Sequence, residues 1–581
     1  MESKITYKYS NFSLLVIAVL AVVISCIFKW SYAENPINFM GGDAEDYYSS
    51  LISTFINGDV AHQSREVWFL IKTNTGTINQ HPVGVAVLLL PFFLLAYAYA
   101  SLFHFPVDGL SFPFQIAVGL AAFVYAMIGL IFIKKLFQLR GISDKVTALI
   151  LPLLFFGTNL MHYTLSEAGM SHIYSFSMIS VFLYQSAKFV QQRENKNLLA
   201  AFAIVGLIIL LRPNNVFIVL GIFFWFSSLQ EFKDFFRSLF KNKIFYFSFL
   251  LTASIVFLQS LLWYFQSKQF FHQTYKADGF YWLNPQVLKM LLGFDGGFFI
   301  YTPLCLLFLL GLIVVYRENK FAFVAFSSLF VLVFYLFGSY CSYTFFDGLG
   351  IRVLVDYYAV FALLGAKLFM QAQHTKWVIA TVLLFAVLFS FLSLIYTYQA
   401  NRSIMLRAGM TFTKWKYIFL KTGKDYQNCL GGSHELKPYA AKQPLVSLSA
   451  EMPANTSFDY TGKDFGLNMH FDSLGFNSNR IHVKVDCKRR EKTMNAAKDA
   501  FICMSLEDKA THKNKYYVQF KLNEVPSTTC CDESDYHYSM NASADFKRDD
   551  LLSVYVWNIN KEAFLINKFS VQIYNYNYHI N

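Results

Sequence analysis

From residue 12 to residue 397 the chain alternates long apolar runs with polar joints, most of them short. Runs near the length needed to cross a bilayer, about 17–25 residues, lie at 12–30, 82–103, 113–133, 146–161, 172–187, 298–316, 321–339, 354–371 and 377–397. Two closely linked runs, 198–211 and 215–229, flank Arg212-Pro213-Asn214-Asn215, and another lies at 244–265. If every run crosses, the clusters Lys134/Lys135/Arg140/Lys145, Lys188/Arg193/Lys196 and Lys233/Arg237/Lys241/Lys243 fall outside, against the rule that basic loops stay inside. Removing 82–103 from the count corrects all the later loops at once. That run begins His81-Pro82, carries Pro91 midway and ends in His104-Phe105-Pro106-Val107-Asp108-Gly109, which reads as a helix lying in the outer interface. Eleven spans remain, with the N-terminus inside and the C-terminus outside, and Arg317, Lys320 and Lys376 then also face inward.

The first run follows Lys4 and Lys8 without a clean small-residue cleavage site, so it reads as an uncleaved helix rather than a signal peptide. It leads into an outer loop, 31–112, too long and too patterned for a simple connector. Within that loop Tyr48, Leu51, Ile52, Phe55 and Ile56 recur at helical spacing. They predict one apolar face resting on the outer leaflet.

Beyond residue 400 the pattern changes. The stretch 400–446 opens basic and aromatic, with Trp415, Tyr417 and Phe419, and reads as a segment along the membrane surface. From 447 to 581 the period becomes two, at Leu467/Met469/Phe471, Ile481/Val483/Val485, Val518/Phe520/Leu522, Val554/Val556 and Phe569/Val571/Ile573. Alternation between Asn-, Asp- and Gly-rich turns predicts an antiparallel β-sandwich. The expected fold is thus a polytopic α-helical membrane domain, 1–399, a linker, and an extracytoplasmic β-sandwich. The sandwich would cap the active face or bind carbohydrate.

Composition agrees with the spans. The 581 residues are 55% hydrophobic and 15% charged, with 64 Phe and 36 Tyr, which excludes an ordinary soluble protein. The net charge of +12 is explained by helix orientation and gives no nucleic-acid signal. Cys487, Cys503, Cys530 and Cys531 lie in the polar last quarter, which suggests an oxidising side without fixing a pairing. No His/Cys/Asp group has zinc-like spacing, so no metal site is assigned, and a divalent metal remains open.

The chemistry concentrates where the first span leaves the membrane, at Gly42-Asp43-Ala44-Glu45-Asp46-Tyr47. An inward-facing first terminus followed by this acidic outer loop resembles the GT-C glycosyltransferases, the polyprenyl- or dolichyl-phosphate-sugar enzymes that include protein O-mannosyltransferases and lipid A aminoarabinose transferases. Asp43 with Tyr47 matches their Asp-Glu-x-x-Tyr setting, with Ala44 where the second acid usually stands and Glu45 one place later. His81-Pro82-Val83-Gly84 is similar to the His-Pro-Pro-Leu-Gly surface helix of the O-mannosyltransferases. The resemblance covers about residues 1–400.

It implies an integral-membrane, inverting glycosyltransferase of the cell inner membrane with its active site on the periplasmic face. Such an enzyme moves a sugar from a polyprenyl-phosphate donor to a hydroxyl of a lipid, glycan or protein acceptor. Asp43 would be the general base, since a hydroxyl is a poor nucleophile until its proton is accepted; Glu45 and Asp46 are candidate assisting acids. The leaving lipid phosphate gathers negative charge and needs a cation. Arg352, at the outer entrance of a span, is the leading candidate, followed by Lys268 and Lys276 in the loop 266–297. Tyr47, His81, Glu167 and His172 are candidate substrate contacts.

Plainer readings stand beside these. Asp43 would cap a helix, Arg352 would meet a lipid headgroup, and Glu167 with His172 would form an ordinary polar pair. Two other functions compete: a lipid-linked glycan flippase, which predicts coupled charges within the spans and inverted repeats, and a membrane-anchored carbohydrate-binding protein.

Overall fold

The computed structural model describes residues 7–26, 39–62, 70–274, 279–345, 348–434, 445–493, 500–525, 531 and 533–575. Lys276, Cys530 and Asn581 therefore lie outside the described residues. The chain is a polytopic helical membrane protein with a C-terminal β-sandwich, and it divides into two compact units. The first takes in Met1–Tyr275, Phe298–Phe334 and Gly350–Thr397; the second takes in Lys276–Gly297, Tyr335–Leu349 and Tyr398–Asn581.

Among the described residues of the chain seven helices are long and apolar enough to cross a membrane: Lys8–Ser25, Gly84–Leu102, Phe112–Leu139, Lys243–Ser267, Lys320–Ser339, Arg352–Ala372 and Lys376–Asn401. Their outward residues are apolar too. Lys376–Asn401 exposes Leu384, Phe385, Val387, Leu388 and Phe391, and Lys8–Ser25 exposes Phe12, Leu15 and Val19. Apolar surface this continuous is stable against lipid, not water.

Several expected spans are shorter or broken, for local reasons. The run 298–316 divides into Phe298–Tyr301, Pro303–Leu309 and Gly311–Glu318. Pro303 cannot continue the ladder, and a Cβ on Gly311 would lie 2.0 Å from the Leu364 carbonyl oxygen. The run 215–229 begins as a 3-10 helix, Pro213–Trp225, bent by 113° from Leu229–Phe240. Ser171–Gln192 is long enough but carries buried Ser171, His172, Ser175, Ser177 and Ser180. Polar groups at that depth face protein rather than lipid.

The run 82–103 forms a continuous helix, Gly84–Leu102, through Pro91. It is apolar all round, and by length and composition it belongs with the seven, whereas the sequence pattern predicts a surface helix. The stripe on Asp43–Phe55 also differs from expectation. Tyr48, Leu51 and Ile52 are buried, and Tyr48 and Phe55 pack on Phe93 at ring separations of 5.7 and 5.9 Å. Protein covers Tyr48, Leu51 and Ile52, while Phe55 at the end of the stripe stays exposed. Close approach at Gly109 (φ +78°), whose Cβ would meet Ile52 Cγ1 at 2.7 Å, helps to hold the stripe.

A small hairpin, β1 (Leu70–Lys72) with β2 (Thr77–Asn79), lies between Asp43–Phe55 and Gly84–Leu102. The sandwich comprises β3 (Val446–Glu451), β4 (Phe458–Asp459), β5 (Phe465–Phe471), β6 (Ser478–Glu491), β7 (Ala500–Asp508), β8 (Lys513–Lys521), β9 (Glu533–Phe546), β10 (Leu551–Asn558) and β11 (Phe564–Asn575). One antiparallel sheet runs β5-β10-β7-β8 and the other β3-β11-β6-β9, with β4 beside β11. Ile481, Val483, Val485, Val554, Val556, Val571 and Ile573 share one core, as alternate residues of two facing sheets must. Cys487 and Cys503 are buried free thiols and Cys531 is an exposed one.

Candidate active site

The acids Asp43, Glu45 and Asp46 are placed by the start of a helix. Gly42 takes φ +63°, a left-handed conformation that glycine adopts at little cost, and Asp43 is the first residue of Asp43–Phe55. Three contacts hold this corner. Phe39 N donates to Gln115 Oε1 at 3.0 Å. The Asn79 amide donates to the Asp46 carbonyl at 2.8 Å and to the Ser49 and Ser50 hydroxyls. Gly169 lets another loop approach, because a Cβ there would lie 2.3 Å from the Phe39 carbonyl oxygen and 2.6 Å from Ala44 Cβ. Position 44 is 2% exposed. That close contact leaves little room for a side chain longer than alanine at position 44.

Asp43 and Arg352, 309 residues apart, meet directly: Arg352 Nη2 donates to Asp43 Oδ2 at 2.7 Å. Both side chains stay about one-fifth exposed. Burial alone would push the Asp43 carboxyl up, but Arg352, then His81, His172 and Arg212, outweigh it and hold the group below the ordinary carboxylate range. Asp43 is therefore ionised at neutral pH.

Asp46 is fully buried and its Oδ2 accepts from His81 twice, from the backbone N at 2.9 Å and from the ring Nδ1 at 2.7 Å. Tyr47 lies against the same imidazole, with centroids 4.7 Å apart. Its hydroxyl, pushed up to about 12 by burial, stays protonated and donates to Ser171 Oγ at 3.2 Å. Val83 N, donating to Gln259 Oε1 at 2.7 Å, anchors the segment after His81.

Glu167 and His172 do not pair with each other, contrary to the plain reading. Glu167 Oε1 lies 3.3 Å from His162 Nε2, and His172 Nδ1 lies 2.9 Å from Asp356 Oδ1. Arg212, at the break before Pro213, turns to the same place: Nη1 donates to Ser171 Oγ at 3.1 Å and Nε lies 3.3 Å from Asp356 Oδ2.

The fold thus gathers Asp43, Asp46, Tyr47, His81, His172 and Arg352, together with Arg212, Ser171 and Asp356. Glu45 is half-buried beside them, its backbone N donating to the Gly42 carbonyl at 3.0 Å. Lys268 is different: it ends the helix Lys243–Ser267 with φ +61°, sits over the Tyr264 ring at 5.6 Å, and takes no part in the cluster among the described residues. Lys276 lies outside those residues. No group of three His, Cys, Asp or Glu arranged to hold a metal occurs among the described residues.

Sequence reasoning passed over Asp356 and Ser171. Asp356 had a usable signal, since a lone carboxylate inside an apolar run is costly unless it is partnered. Ser171 had none.

No family model and no curated protein matches the chain. Among solved structures it is similar to the oligosaccharyltransferase of Archaeoglobus fulgidus in its apo form, at 12% identity and TM-score 0.39, covering 76% of this chain and 61% of that one. The same enzyme in complex with zinc and sulfate gives 13% and 0.36, over 74% and 58%. The arabinosyltransferase EmbB of Mycobacterium smegmatis gives 8% and 0.38, over 96% and 64%. Both enzymes are glycosyltransferases of the GT-C fold. The chain spans about three fifths of the length of these structures. At TM-scores this low neither likeness bears on how the site works.

Proposed function

We propose that this chain is an inner-membrane glycosyltransferase that moves one sugar from a polyprenyl-phosphate donor to an acceptor hydroxyl on the extracytoplasmic face. The observation that carries the reading is the contact between Asp43 and Arg352: a carboxylate and a guanidinium, the two groups such a transfer needs, held 2.7 Å apart and each still about one-fifth exposed. A purely structural ion pair would gain little from that partial exposure.

In this reading the donor phosphate engages Arg352, whose planar fork suits two phosphate oxygens. Asp43 then loses its partner and becomes a stronger base. The acceptor hydroxyl gives its proton to an Asp43 oxygen as its own oxygen attacks the anomeric carbon. The bond from that carbon to the phosphate oxygen breaks, and polyprenyl phosphate leaves with the electron pair beside Arg352. One displacement inverts the anomeric centre. Tyr47, His81 and His172 line the site and Asp46 orients His81, as a carboxylate fixes an imidazole. Glu167 contacts substrate from the turn before Ser171. The acceptor is a lipid, glycan or protein bearing a free hydroxyl.

The test is a transfer assay with purified protein in detergent. Radiolabelled polyprenyl-phosphate sugars are offered with total cell-envelope lipid, glycan and protein fractions as acceptors. Label passing into a fraction supports the reading. No transfer from any such donor, together with unchanged envelope glycans in cells lacking the gene, would refute it.

A further inference from the structure

The group that ties the site together is Asp356, which nothing in the transfer chemistry requires to touch substrate. It lies on the 3-10 turn Arg352–Tyr357, four residues after Arg352, and its side chain is wholly buried. Oδ1 accepts from His172 Nδ1 at 2.9 Å. Oδ2 accepts from Asn215 Nδ2 at 2.7 Å and lies 3.3 Å from Arg212 Nε. Arg212 and Asn215 sit three apart at the start of the 3-10 helix Pro213–Trp225, where residues i and i+3 stack on one side. The far end of Arg212 is held by Ser171 Oγ, which also accepts from Tyr47.

One short turn therefore serves two arginines. Its first residue is the arginine that meets Asp43, and its fifth is the carboxylate that anchors the other arginine bearing on Asp43. A buried carboxylate is costly unless its oxygens are satisfied; here both are. Held from both ends, Arg212 has few alternative rotamers, and pre-set guanidinium geometry is what recognition of a tetrahedral anion requires. The same carboxylate fixes the hydrogen on His172 Nδ1, leaving Nε2 as the acceptor nitrogen.

We infer that Asp356 is a positioning residue: it presents Arg212 as a second cation, alongside Arg352, to the phosphate of the lipid donor, and it sets the tautomer of His172. This rests on the glycosyl-transfer reading, so the test is built on binding rather than turnover. Decaprenyl phosphate and uncharged decaprenol are titrated into the full-length protein in detergent, for wild type, Asp356→Asn, Arg212→Ala and the double variant. Asp356→Asn removes the charge of the buried ion pair that holds Arg212, and loss of that positioning should weaken decaprenyl phosphate by about tenfold.

Decaprenol binding should not change, which separates a lost cation from a damaged pocket. The double variant should bind no more weakly than Arg212→Ala alone, because Asp356 acts through that arginine. Multiplied losses in the double variant, or equal losses for both lipids, overturn the inference. If Asp356→Asn does not fold, Ser171→Ala releases the other end of Arg212, and its cycle with Arg212→Ala is judged by the same outcomes. A wild-type protein that binds decaprenyl phosphate no better than decaprenol defeats the underlying reading instead, a result distinct from failure in the variants alone.

Discussion

Replacing Arg352 separates the two duties assigned to it, holding phosphate and setting the charge on Asp43. Arg352→Ala removes the cation beside the leaving phosphate. Loss of one pre-organised donor of that kind costs about 2.7–4 kcal/mol of transition-state stabilisation, or roughly 10²–10³ in kcat. The contact is short but about one-fifth exposed on each side, so the lower half of that range is expected. Arg352→Lys keeps the charge and loses the second arm of the fork, which costs about tenfold.

The pH dependence gives an independent reading. In the wild type Arg352 is the largest influence holding the Asp43 carboxyl below its ordinary 3.8, against burial. A base works only when ionised, so kcat/KM should fall as pH drops through the pKa of Asp43 in the free enzyme. Without Arg352 the largest influence opposing burial is gone, and the acid limb should move to higher pH. The lysine variant should lie between. The assay is kcat/KM for a labelled polyprenyl-phosphate sugar from pH 4 to 8, with melting temperature as a folding control. Wild-type turnover in both variants with an unmoved acid limb would reduce Arg352 to an interfacial anchor.

Reporter fusions at Lys135, Arg193 and Lys241 should be cytoplasmic and those at Asp108 and Asn581 exported; a cytoplasmic Asp108 would mean that Gly84–Leu102 crosses. Gly169→Ala should lower the melting temperature, because a Cβ 2.3 Å from the Phe39 carbonyl oxygen forces backbone apart at about 1–3 kcal/mol; an unchanged melt would remove that contact as the limit on side-chain size at position 44. In the second unit His434, stacked on Phe520, is pushed down from 6.5 to about 4 by burial and then by Lys414. The unfolded chain then binds the proton more readily than the folded one, so stability should decline as pH falls from about 6.5 to 4, by up to about 3 kcal/mol. His434→Leu should flatten that acid slope in thermal melts, and a slope equal to wild type would contradict the assignment.

Much of this architecture is readable from periodicity, and much of the site is not. Period-two runs such as Ile481/Val483/Val485 mark β6 because one face of each strand must be buried. The long run 377–397 marks its helix because no charged residue, proline or glycine interrupts it. Broken helices are harder: Thr302-Pro303 signals a stop, but the need for Gly311 comes from Leu364, far along the chain. Asp43 and Arg352 were singled out by chemistry and position, and the fold brings them together. The partnership of His172 with Asp356 was not legible, since an apolar run shows that an acid needs a partner without showing which. The stripe on Asp43–Phe55 was legible as apolar, but an apolar face fits lipid and protein equally well; Tyr48, Leu51 and Ile52 are buried in protein, with Tyr48 against Phe93, and Phe55 stays exposed.

The central claim is that Asp43 accepts the acceptor's proton, and Asp43→Asn tests it most directly. Asparagine keeps the size at the first helical position, where Gly42 and not Asp43 is the cap, but gives up the partly exposed ion pair with Arg352. Membrane insertion should hold and the melting temperature should fall only modestly, while transfer in purified protein should fall by about 10²-fold or more. Glu45→Gln and Asp46→Asn, measured beside it, should lose less. Full transfer by Asp43→Asn with a dead Glu45→Gln would move the base two residues along. Full transfer by all three would contradict the account of this loop.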